Sequence, residues 1–189
     1  MSSATVPFIG NAKAPVVVTY WSDYQCPYCR VEEENVLSRL IKEYVETGKV
    51  KVEFKEVTFI GPDSQTADLA GRAVWEVAPN KFFQWYKTIL SHQGAENSGW
   101  ASKDNIIALT RTVAGIDADA VARLMTEHAG AYQKSIDANR AEAAAKGVVR
   151  VPAAIIGTQL ILNAQPYIWY KTAIDNTLRQ SPVAASSAQ

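Results

Sequence analysis

The two cysteines of this chain lie three positions apart. Cys26 and Cys29 are the only cysteines among its 189 residues, and Pro27 and Tyr28 separate them. A thiol pair at this spacing has three main interpretations: a structural disulfide, part of a zinc site or a redox-active dithiol. A disulfide that closes a loop of about four residues contributes only ~2 kcal/mol to stability in the chain-entropy model. The short loop therefore disfavours a purely structural disulfide.

A zinc site needs more ligands than the pair supplies. Structural zinc usually takes four ligands from two paired motifs. The other soft candidates, His92 and His128, lie far from the cysteines and from each other in the sequence. Zinc would therefore require a site shared between two chains. Redox chemistry is the favoured interpretation, and a degenerate site that only binds peptides stays open as an alternative.

The predicted surroundings of the pair give its two sulfurs different roles. Cys26 follows an apolar β-branched run and precedes Pro27, a residue type preferred at the first helical position. Unpaired backbone N–H groups and the positive end of the helix dipole would stabilise a Cys26 thiolate. We therefore expect Cys26 to be the nucleophile. Cys29, one turn further on, would be less exposed and would resolve the mixed disulfide with a substrate.

Charged residues beside the pair are expected to adjust its redox potential only moderately. Glu32, Glu33 and Glu34 oppose a nearby thiolate, and their expected role is a solvated helix face. An alternative is that Glu33 or Glu34 tunes the site or relays a proton. Each pKa unit by which the thiolate is stabilised corresponds to ~1.4 kcal/mol, or about 30 mV for a two-electron couple. Because Tyr28 cannot carry a positive charge, we expect a moderate oxidant.

The elements that must position the pair follow from local patterns. Residues 16–20 form an apolar β-branched run that predicts a buried strand, and residues 50–59 alternate as a second strand does. Between them, apolar residues at spacings of three and four predict a helix from Pro27 that ends at Gly48. The order strand, helix, strand favours parallel strands joined by a right-handed crossover.

The remainder of the chain divides into a helical stretch and a hairpin. Residues 61–147 contain no convincing strand and are interpreted as a helical insertion, more than one crossover needs. Residues 151–156 and 159–162 predict a β-hairpin, and Pro166 starts a last helix. The core of the insertion is expected to contain Phe82, Phe83, Trp85, Tyr86, Ile89 and Leu90.

Composition and charge exclude several partners. Nineteen basic and nineteen acidic residues give a formal net charge of zero. Nucleic acid and anionic membrane surfaces both require a basic excess, so neither is expected as the main partner. The first residues lack a basic segment followed by a long apolar one, so the sequence as written is expected to carry no signal peptide.

With its Cys-Pro-Tyr-Cys motif placed between a strand and a helix, the chain resembles the DsbA family of thiol–disulfide oxidoreductases. The resemblance implies an α/β, thioredoxin-like fold with an inserted all-helical subdomain. Residues 1–60 and 148–180 would form the two parts of the thioredoxin-like domain, residues 61–147 the helical insertion and residues 181–189 a flexible tail. The resemblance is carried by the segment Ser22–Cys29 (SDYQCPYC), Ala14-Pro15-Val16, Glu33-Glu34, Gly61-Pro62 with Ser64, Gly147 and Val151-Pro152.

The resemblance also implies residues that shape the site. Pro152 matches the cis-proline that faces the cysteine pair in thioredoxin-like folds, although an ordinary proline at a strand start is the alternative. The backbone of Val151 would then pair with an extended substrate peptide, and valine at this position favours an oxidase. Pro27 and Tyr28 would shape the site between the cysteines.

One departure from the family pattern bears on proton transfer. Tyr20 occupies the position, six residues before the first cysteine, where related proteins often carry a buried carboxylate. Proton transfer to Cys29 is therefore expected to use Glu56, Lys55 or water. Trp21 and Tyr24 are further candidates, either for an apolar rim that contacts unfolded substrate or for tuning the site.

The expected function is that of a DsbA-like oxidase that introduces disulfides into exported proteins, with no cofactor or metal beyond the cysteine pair. The Pro-Tyr dipeptide keeps a glutaredoxin- or thioredoxin-like reductase or an isomerase open, and a peptide-binding chaperone is the non-enzymatic alternative. Expected partners are reduced or unfolded proteins and an unidentified partner, membrane-bound or not, that recycles the pair. An extracytoplasmic location (periplasm or cell envelope) is expected from the resemblance, with the cytoplasm as the alternative. A monomer is expected because only 15 residues precede Val16.

Overall fold

The computed structural model describes residues 6–180 and contains a five-stranded sheet. The strand order across the sheet is β1-β3-β2-β4-β5. Strands β2 and β3 are parallel, and the other neighbouring pairs are antiparallel. The strands are β1 (Phe8–Ile9), β2 (Val16–Ser22), β3 (Val50–Glu56), β4 (Ala153–Ile156) and β5 (Gln159–Leu162).

The central strand β2 carries the chain towards the cysteines. It pairs with β3 on one side and β4 on the other, so its backbone is hydrogen-bonded along both edges. Its β-branched and aromatic side chains suit this position. Exposure alternates at its start, where Val17 faces solvent, but Tyr20, Trp21 and Ser22 at its end are all buried. The segment before the cysteines therefore leaves from the middle of the core.

A continuous helical run follows the cysteine pair, as predicted. It ends before Gly48, whose positive φ of 74° suits the residue after a helix end. The run is not uniform, because two π-helical turns interrupt the α-helix, and the sequence pattern did not predict them. Its parts are α1 (Pro27–Glu32), a π-helix (Glu33–Leu37), α2 (Ser38–Leu40) and a second π-helix (Ile41–Val45).

Helices without an intervening strand occupy the described chain between β3 and β4, in agreement with the prediction. Asp117 begins one of them by accepting hydrogen bonds from the backbone N–H groups of Asp119 and Ala120, which is typical of an N-cap. These elements are α3 (Pro62–Val77), a 3₁₀ turn (Pro79–Lys81), α4 (Phe82–Ser91), α5 (Lys103–Thr112), α6 (Ala118–Glu127) and α7 (Ala129–Ala145), and α8 (Tyr167–Gln180) follows β5.

The helical layer and the sheet share one hydrophobic core. Phe54 on β3 lies with its ring centroid 5.4 Å from that of Phe82 and 5.1 Å from that of Tyr86, both on α4. The aromatic residues predicted to fill the core of the insertion therefore pack on the sheet as well. Burying a side chain of this size contributes ~2–3 kcal/mol, so the contact joins the two layers firmly.

Other predictions are corrected or lie outside the described residues. The short strand β1 was not predicted, because two residues carry too little pattern to identify a strand. The predicted flexible tail, residues 181–189, lies outside the described part of the chain. In residues 6–180, none of the helices combines the length and the apolar character needed to cross a membrane.

Candidate active site

The structure places Cys26 at the N-cap of α1, with Pro27 in the first turn. The backbone of Cys26 is extended (φ −72°, ψ 116°), and the N–H of Cys29 donates to its carbonyl at 3.0 Å. Both cysteines are free thiols. Cys26 is 5% exposed and Cys29 is fully buried, so the predicted difference in exposure has the expected direction but is small.

The two thiols differ strongly in acidity. The pKa of Cys26 is lowered from 9.0 to about 7, first by a hydrogen bond from the Cys29 thiol and then by the backbone N–H groups of Cys29 and Tyr28, although burial opposes the shift. Burial raises the pKa of Cys29 well above its ordinary value, and the hydrogen bond it gives to Cys26 adds to this. Near neutral pH the negative charge therefore belongs on Cys26 and the proton on Cys29.

A second chain segment reaches the nucleophile from the sheet. The Val151–Pro152 peptide bond is cis, and the carbonyl oxygen of Val151 lies 3.6 Å from Cys26 Sγ. Near this contact two apolar side chains are exposed: Tyr28, which is 64% exposed, and Val149, two residues before Val151. Cys26 thus lies between the start of α1 and the loop that leads into β4.

The exposed positions are not those predicted for a substrate rim. Trp21 is fully buried, since the strand that carries it is paired on both sides and Lys55 lies over its ring at 5.7 Å. Tyr24 is also buried, with its ring 5.6 Å from that of Trp85 on α4. The prediction that Trp21 and Tyr24 line the surface is therefore wrong, because the helical layer and the neighbouring strands cover them.

A buried carboxylate that the sequence analysis did not single out orders the turn before the cysteines. Asp23 accepts hydrogen bonds from the backbone N–H groups of Gln25 (2.8 Å), Phe59 (2.8 Å) and Ile60 (3.0 Å). It also accepts one from the hydroxyl of Ser64 at 2.5 Å. Four donors satisfy this carboxylate, so it ties the cysteine turn to the start of the helical layer. Its place next to the motif was the only signal in the sequence.

The segment between α4 and α5 holds the same turn from the other side. The side-chain amide of Gln93 donates to the carbonyl oxygens of Tyr24 (2.7 Å) and Cys26 (3.1 Å). The backbone N–H of Asn97 donates to the side-chain oxygen of Gln25 at 2.7 Å. The helical layer therefore positions the cysteine pair as well as covering the core.

The glutamates after the pair do not form one solvated face, which corrects that expectation. Only Glu34 is exposed, whereas Glu32 and Glu33 are buried. Glu33 accepts a hydrogen bond from the Ser38 hydroxyl at 2.7 Å, and Lys87 on α4 lies 3.4 Å from it. The π-helical turn that begins at Glu33 rotates the following residues relative to a regular helix, which the periodicity of the sequence does not reveal.

The residues expected to exchange a proton with Cys29 already have partners. One oxygen of the Glu56 carboxylate pairs with Arg72, and the other accepts a hydrogen bond from the side-chain amide of Asn139 at 3.1 Å. Lys55 pairs with Glu142. Proton transfer through Glu56 or Lys55 stays a prediction, but each group is held in an ion pair.

No arrangement resembling a metal site is found in the part of the chain that the structure describes. Within residues 6–180, the His, Cys, Asp and Glu side chains form no group of three or more that could hold an ion. His92 contacts the carbonyl oxygen of Thr88, and His128 contacts Glu76. Neither histidine is grouped with the cysteines.

Fold and site together define a thioredoxin-like protein with a Cys-Pro-Tyr-Cys pair at the start of a helix. A family model described as thioredoxin matches residues 2–176, so the chain belongs to the thioredoxin family. Among solved structures it is similar to oxidised BdbD from Bacillus subtilis, with a TM-score of 0.83, 22% identity and coverage of 92% of this chain and 93% of that one. DsbA from Chlamydia trachomatis has a TM-score of 0.81 at 20% identity and covers 95% and 94%. The predicted thioredoxin-like fold is thereby confirmed.

Curated relatives carry names that refer to disulfide bonds. Disulfide bond formation protein D of Bacillus subtilis is 24% identical over 173 residues, which are 92% of this chain and 77% of that protein. The probable disulfide bond formation protein D of Bacillus cereus is 32% identical over 108 residues, or 57% of this chain. That match spans half the length of the Bacillus cereus relative.

Proposed function

We propose that the protein is a thiol–disulfide oxidoreductase that works as a DsbA-like oxidase and introduces disulfides into exported proteins. The observation that carries the proposal is the contrast within the cysteine pair. Cys26 has a lowered pKa at the start of α1, and Cys29 is buried with a raised pKa. A nucleophile beside a sheltered resolving thiol is what disulfide exchange requires.

The reaction begins with the oxidised Cys26–Cys29 pair. A substrate thiolate attacks Cys26 Sγ, the bond between the two cysteines breaks, and its electron pair leaves on Cys29. A second substrate thiolate then attacks the substrate sulfur of the mixed disulfide and displaces Cys26 as a thiolate. The substrate loses two electrons and two protons, and the reduced pair gains them. No cofactor besides the disulfide itself is part of the proposal.

The residues around the pair take supporting roles. Pro27 and Tyr28 shape the approach to Cys26, and Tyr28 offers apolar surface to an unfolded chain. Val151 and Pro152 would lie beside the substrate peptide. The carbonyl oxygen of Val151, already 3.6 Å from Cys26 Sγ, is a suitable acceptor for a substrate N–H.

The acidity of Cys26 sets the direction of exchange. A stabilised thiolate favours the reduced pair and so makes the disulfide more oxidising. The Cys26 pKa of about 7 is lowered but stays close to neutral. It therefore supports a moderate oxidant, stronger than an unperturbed dithiol.

Partners, location and domain division belong to the proposal as well. The substrates would be reduced or unfolded proteins, an unidentified partner would reoxidise the pair, and both steps would take place outside the cytoplasm. Residues 1–60 and 148–180 would act as one thioredoxin-like unit that carries residues 61–147 as an insertion. The protein would work as a monomer.

The test is oxidation of a reduced, unfolded protein in stoichiometric excess, compared with reduction of insulin in glutathione. We expect rapid oxidation by the disulfide form, slow insulin reduction and no oxidation by Cys26→Ala. Faster insulin reduction than substrate oxidation would instead identify a reductase. Full activity of Cys26→Ala in preventing aggregation, without any exchange in the wild type, would identify a chaperone.

A further inference from the structure

A cluster of buried polar groups lies beneath the resolving cysteine. Glu32 is 1% exposed, and Tyr20, Tyr86 and Tyr170 are also buried. Glu32 Oε1 and the three tyrosine hydroxyls lack a well-formed hydrogen bond within residues 6–180. The Tyr170 hydroxyl still interacts with Glu32, and that of Tyr86 with Ser22 and Tyr20. Burying polar groups with so few well-formed hydrogen bonds is costly, so the cluster calls for a functional reason.

The cluster is centred on Cys29. Tyr20 from β2, Tyr86 from α4 and Tyr170 from α8 each interact electrostatically with the Cys29 thiol. Glu32 follows Cys29 by three residues on α1, so the two side chains lie on the same side of the helix. Tyr20 and Tyr170 each interact with both Glu32 and Cys29, and Tyr170 is the one whose hydroxyl also hydrogen-bonds to the Glu32 carboxyl.

Glu32 has no cation beside it among the described residues. Asp23, which also acts on the Cys29 thiol, forms no ion pair there either, but four hydrogen-bond donors hold its carboxylate. Apart from burial, its pKa responds to the Tyr170 hydroxyl and to the backbone of Gln165. The other titratable groups that face this cluster are Cys26 and Cys29 at the start of the same helix, Asp23 before it, Tyr20 on β2 and Tyr86 on α4. By contrast, Glu33 lies near Lys87, and Glu56 pairs with Arg72.

A short route joins the cluster to the surface. Gln165, whose backbone contacts the Glu32 carboxyl, is half-buried in the segment between β5 and α8, and Pro166 beside it is exposed. A carboxyl placed between a buried thiol and a solvent-facing loop can exchange protons with both. The tyrosine hydroxyl between them can donate one proton while it accepts another.

We propose that Glu32, acting through the hydroxyl of Tyr170, supplies and recovers the proton of Cys29 during disulfide exchange. This inference rests on the proposed function. When substrate attack on Cys26 expels Cys29 with the electron pair of the broken bond, Tyr170 gives its proton to Cys29 and takes the proton of Glu32. The Glu32 carboxylate then regains a proton from water at the surface. During reoxidation by the recycling partner the same proton returns to Glu32.

The acidity of Glu32 suits this role. Burial raises its pKa from 4.5 to about 7, more than the hydrogen bond with Tyr170 lowers it. A proton donor works best when its pKa lies near the working pH.

The experiment is single-turnover reduction of the oxidised protein by dithiothreitol, followed by rapid acid quench and alkylation across the neutral pH range. Cys26 does not titrate while it is in the disulfide, so its own acidity does not enter. After correction for the dithiothreitol thiolate, we expect the wild-type rate constant to fall about tenfold as pH rises through about 7. Glu32→Gln should show a low rate without this inflection.

Three further variants test the role of Tyr170 and serve as controls. Tyr170→Phe retains the ring, removes the hydroxyl and should match Glu32→Gln, and the double variant should be no slower than either. If Glu32→Gln does not fold, Tyr170→Phe alone decides. Glu46→Gln changes an exposed glutamate of the same helical run and should behave as the wild type.

An unchanged inflection in Glu32→Gln or, where that variant does not fold, in Tyr170→Phe would overturn the inference. The pKa of Cys26, measured from thiolate absorbance in the reduced protein, should stay at about 7 in both variants. A normal inflection in a wild type that fails to oxidise proteins would reject the proposed function and leave this inference standing.

Discussion

Two buried carboxyl groups lie on either side of the cysteine pair, and the fold surrounds them differently. Asp23, before the pair, accepts four hydrogen bonds from the turn and the helical layer. Glu32, after the pair, has an oxygen without a partner among the described residues and a pKa raised to about 7. A satisfied carboxylate holds a structure in place, whereas an unsatisfied one can change its proton at little structural cost.

The same comparison applies to the two sulfurs. Cys26 accepts hydrogen bonds from the Cys29 thiol and from backbone N–H groups, which favour its thiolate. Cys29 is buried, and burial favours its neutral thiol. Both differences arise from the elements that cover each group. Substituting Asp23 is therefore expected to lower the stability of the folded protein, and substituting Glu32 is expected to raise it.

The largest effect is expected from Asp23→Ala. The change leaves the buried Gln25 N–H and the buried Ser64 hydroxyl without their acceptor, together with the part-buried N–H groups of Phe59 and Ile60. We expect the free energy of unfolding to fall by about 4 kcal/mol, since each buried donor left unpaired costs ~1–3 kcal/mol. Urea denaturation measures this, and Asp104→Ala on the exposed part of α5 is the matched control. An effect no larger than the control would contradict a structural role for Asp23.

Glu32→Gln is expected to increase the free energy of unfolding, whereas Asp23→Ala decreases it. The folded pKa of about 7 lies above the ordinary 4.5, so as pH rises between these values the unfolded chain loses its proton before the folded one does. Stability linked to Glu32 is therefore complete below pH 4.5 and lost as pH rises through about 7. Above that pH the substitution should stabilise the protein by at most about 3 kcal/mol.

Thermal or urea unfolding on both sides of pH 7 checks the prediction for Glu32. The stabilisation by Glu32→Gln should disappear in acid, because residue 32 is then uncharged in the wild type as well as in the variant. Equal effects of the substitution at low and high pH would show that Glu32 does not titrate in the folded protein.

A smaller effect is expected when the resolving thiol is removed. In Cys29→Ala, Cys26 loses the hydrogen bond that lowers its pKa most, although the backbone N–H groups remain. We expect the pKa of Cys26 to rise by roughly one unit. The ultraviolet absorbance of the thiolate as a function of pH measures it. A pKa that stays at about 7 would assign the shift to the helix start alone.

The smallest effect is expected for Gln93→Ala, which removes the amide donor to the carbonyl oxygens of Tyr24 and Cys26. Because both hydrogen bonds are only partly buried, water can replace the amide, and the loss should be about 1 kcal/mol. Denaturation gives the stability, and hydrogen exchange at Cys26 reports loosening of the turn. Exchange as slow as in the wild type would mean that Asp23 alone orders the turn.

Much of the fold was predictable because its elements have strong local patterns. The strand before the cysteines, the helix after them and the hairpin at residues 153–162 all follow from hydrophobic spacing and from Gly48 and Gly157. The π-helical turns and the two-residue strand β1 were not predicted. Such short features depend on packing against the rest of the chain rather than on their own residues.

Within the candidate site, only the cysteine motif itself was predictable from the sequence. Cys26, Cys29, Pro27 and Tyr28 stand together in the sequence, and their spacing already indicates the chemistry. For Trp21 and Tyr24 an exposed rim was one of two predicted roles, and their burial rules that role out, since an aromatic residue beside a motif suits either environment.

The sequence by itself determined which sulfur is favoured as a thiolate, because a cysteine just before a helix meets unpaired N–H groups whatever surrounds it. Only the tertiary structure decided that Glu32 and Glu33 are the buried members of the three consecutive glutamates, and that Glu32, unlike Glu33, has no cation beside it among the described residues. Burial depends on α8, β2 and α4, which come from distant parts of the chain. The acidity of Glu32 is a property of that enclosure, so no local pattern could have revealed it.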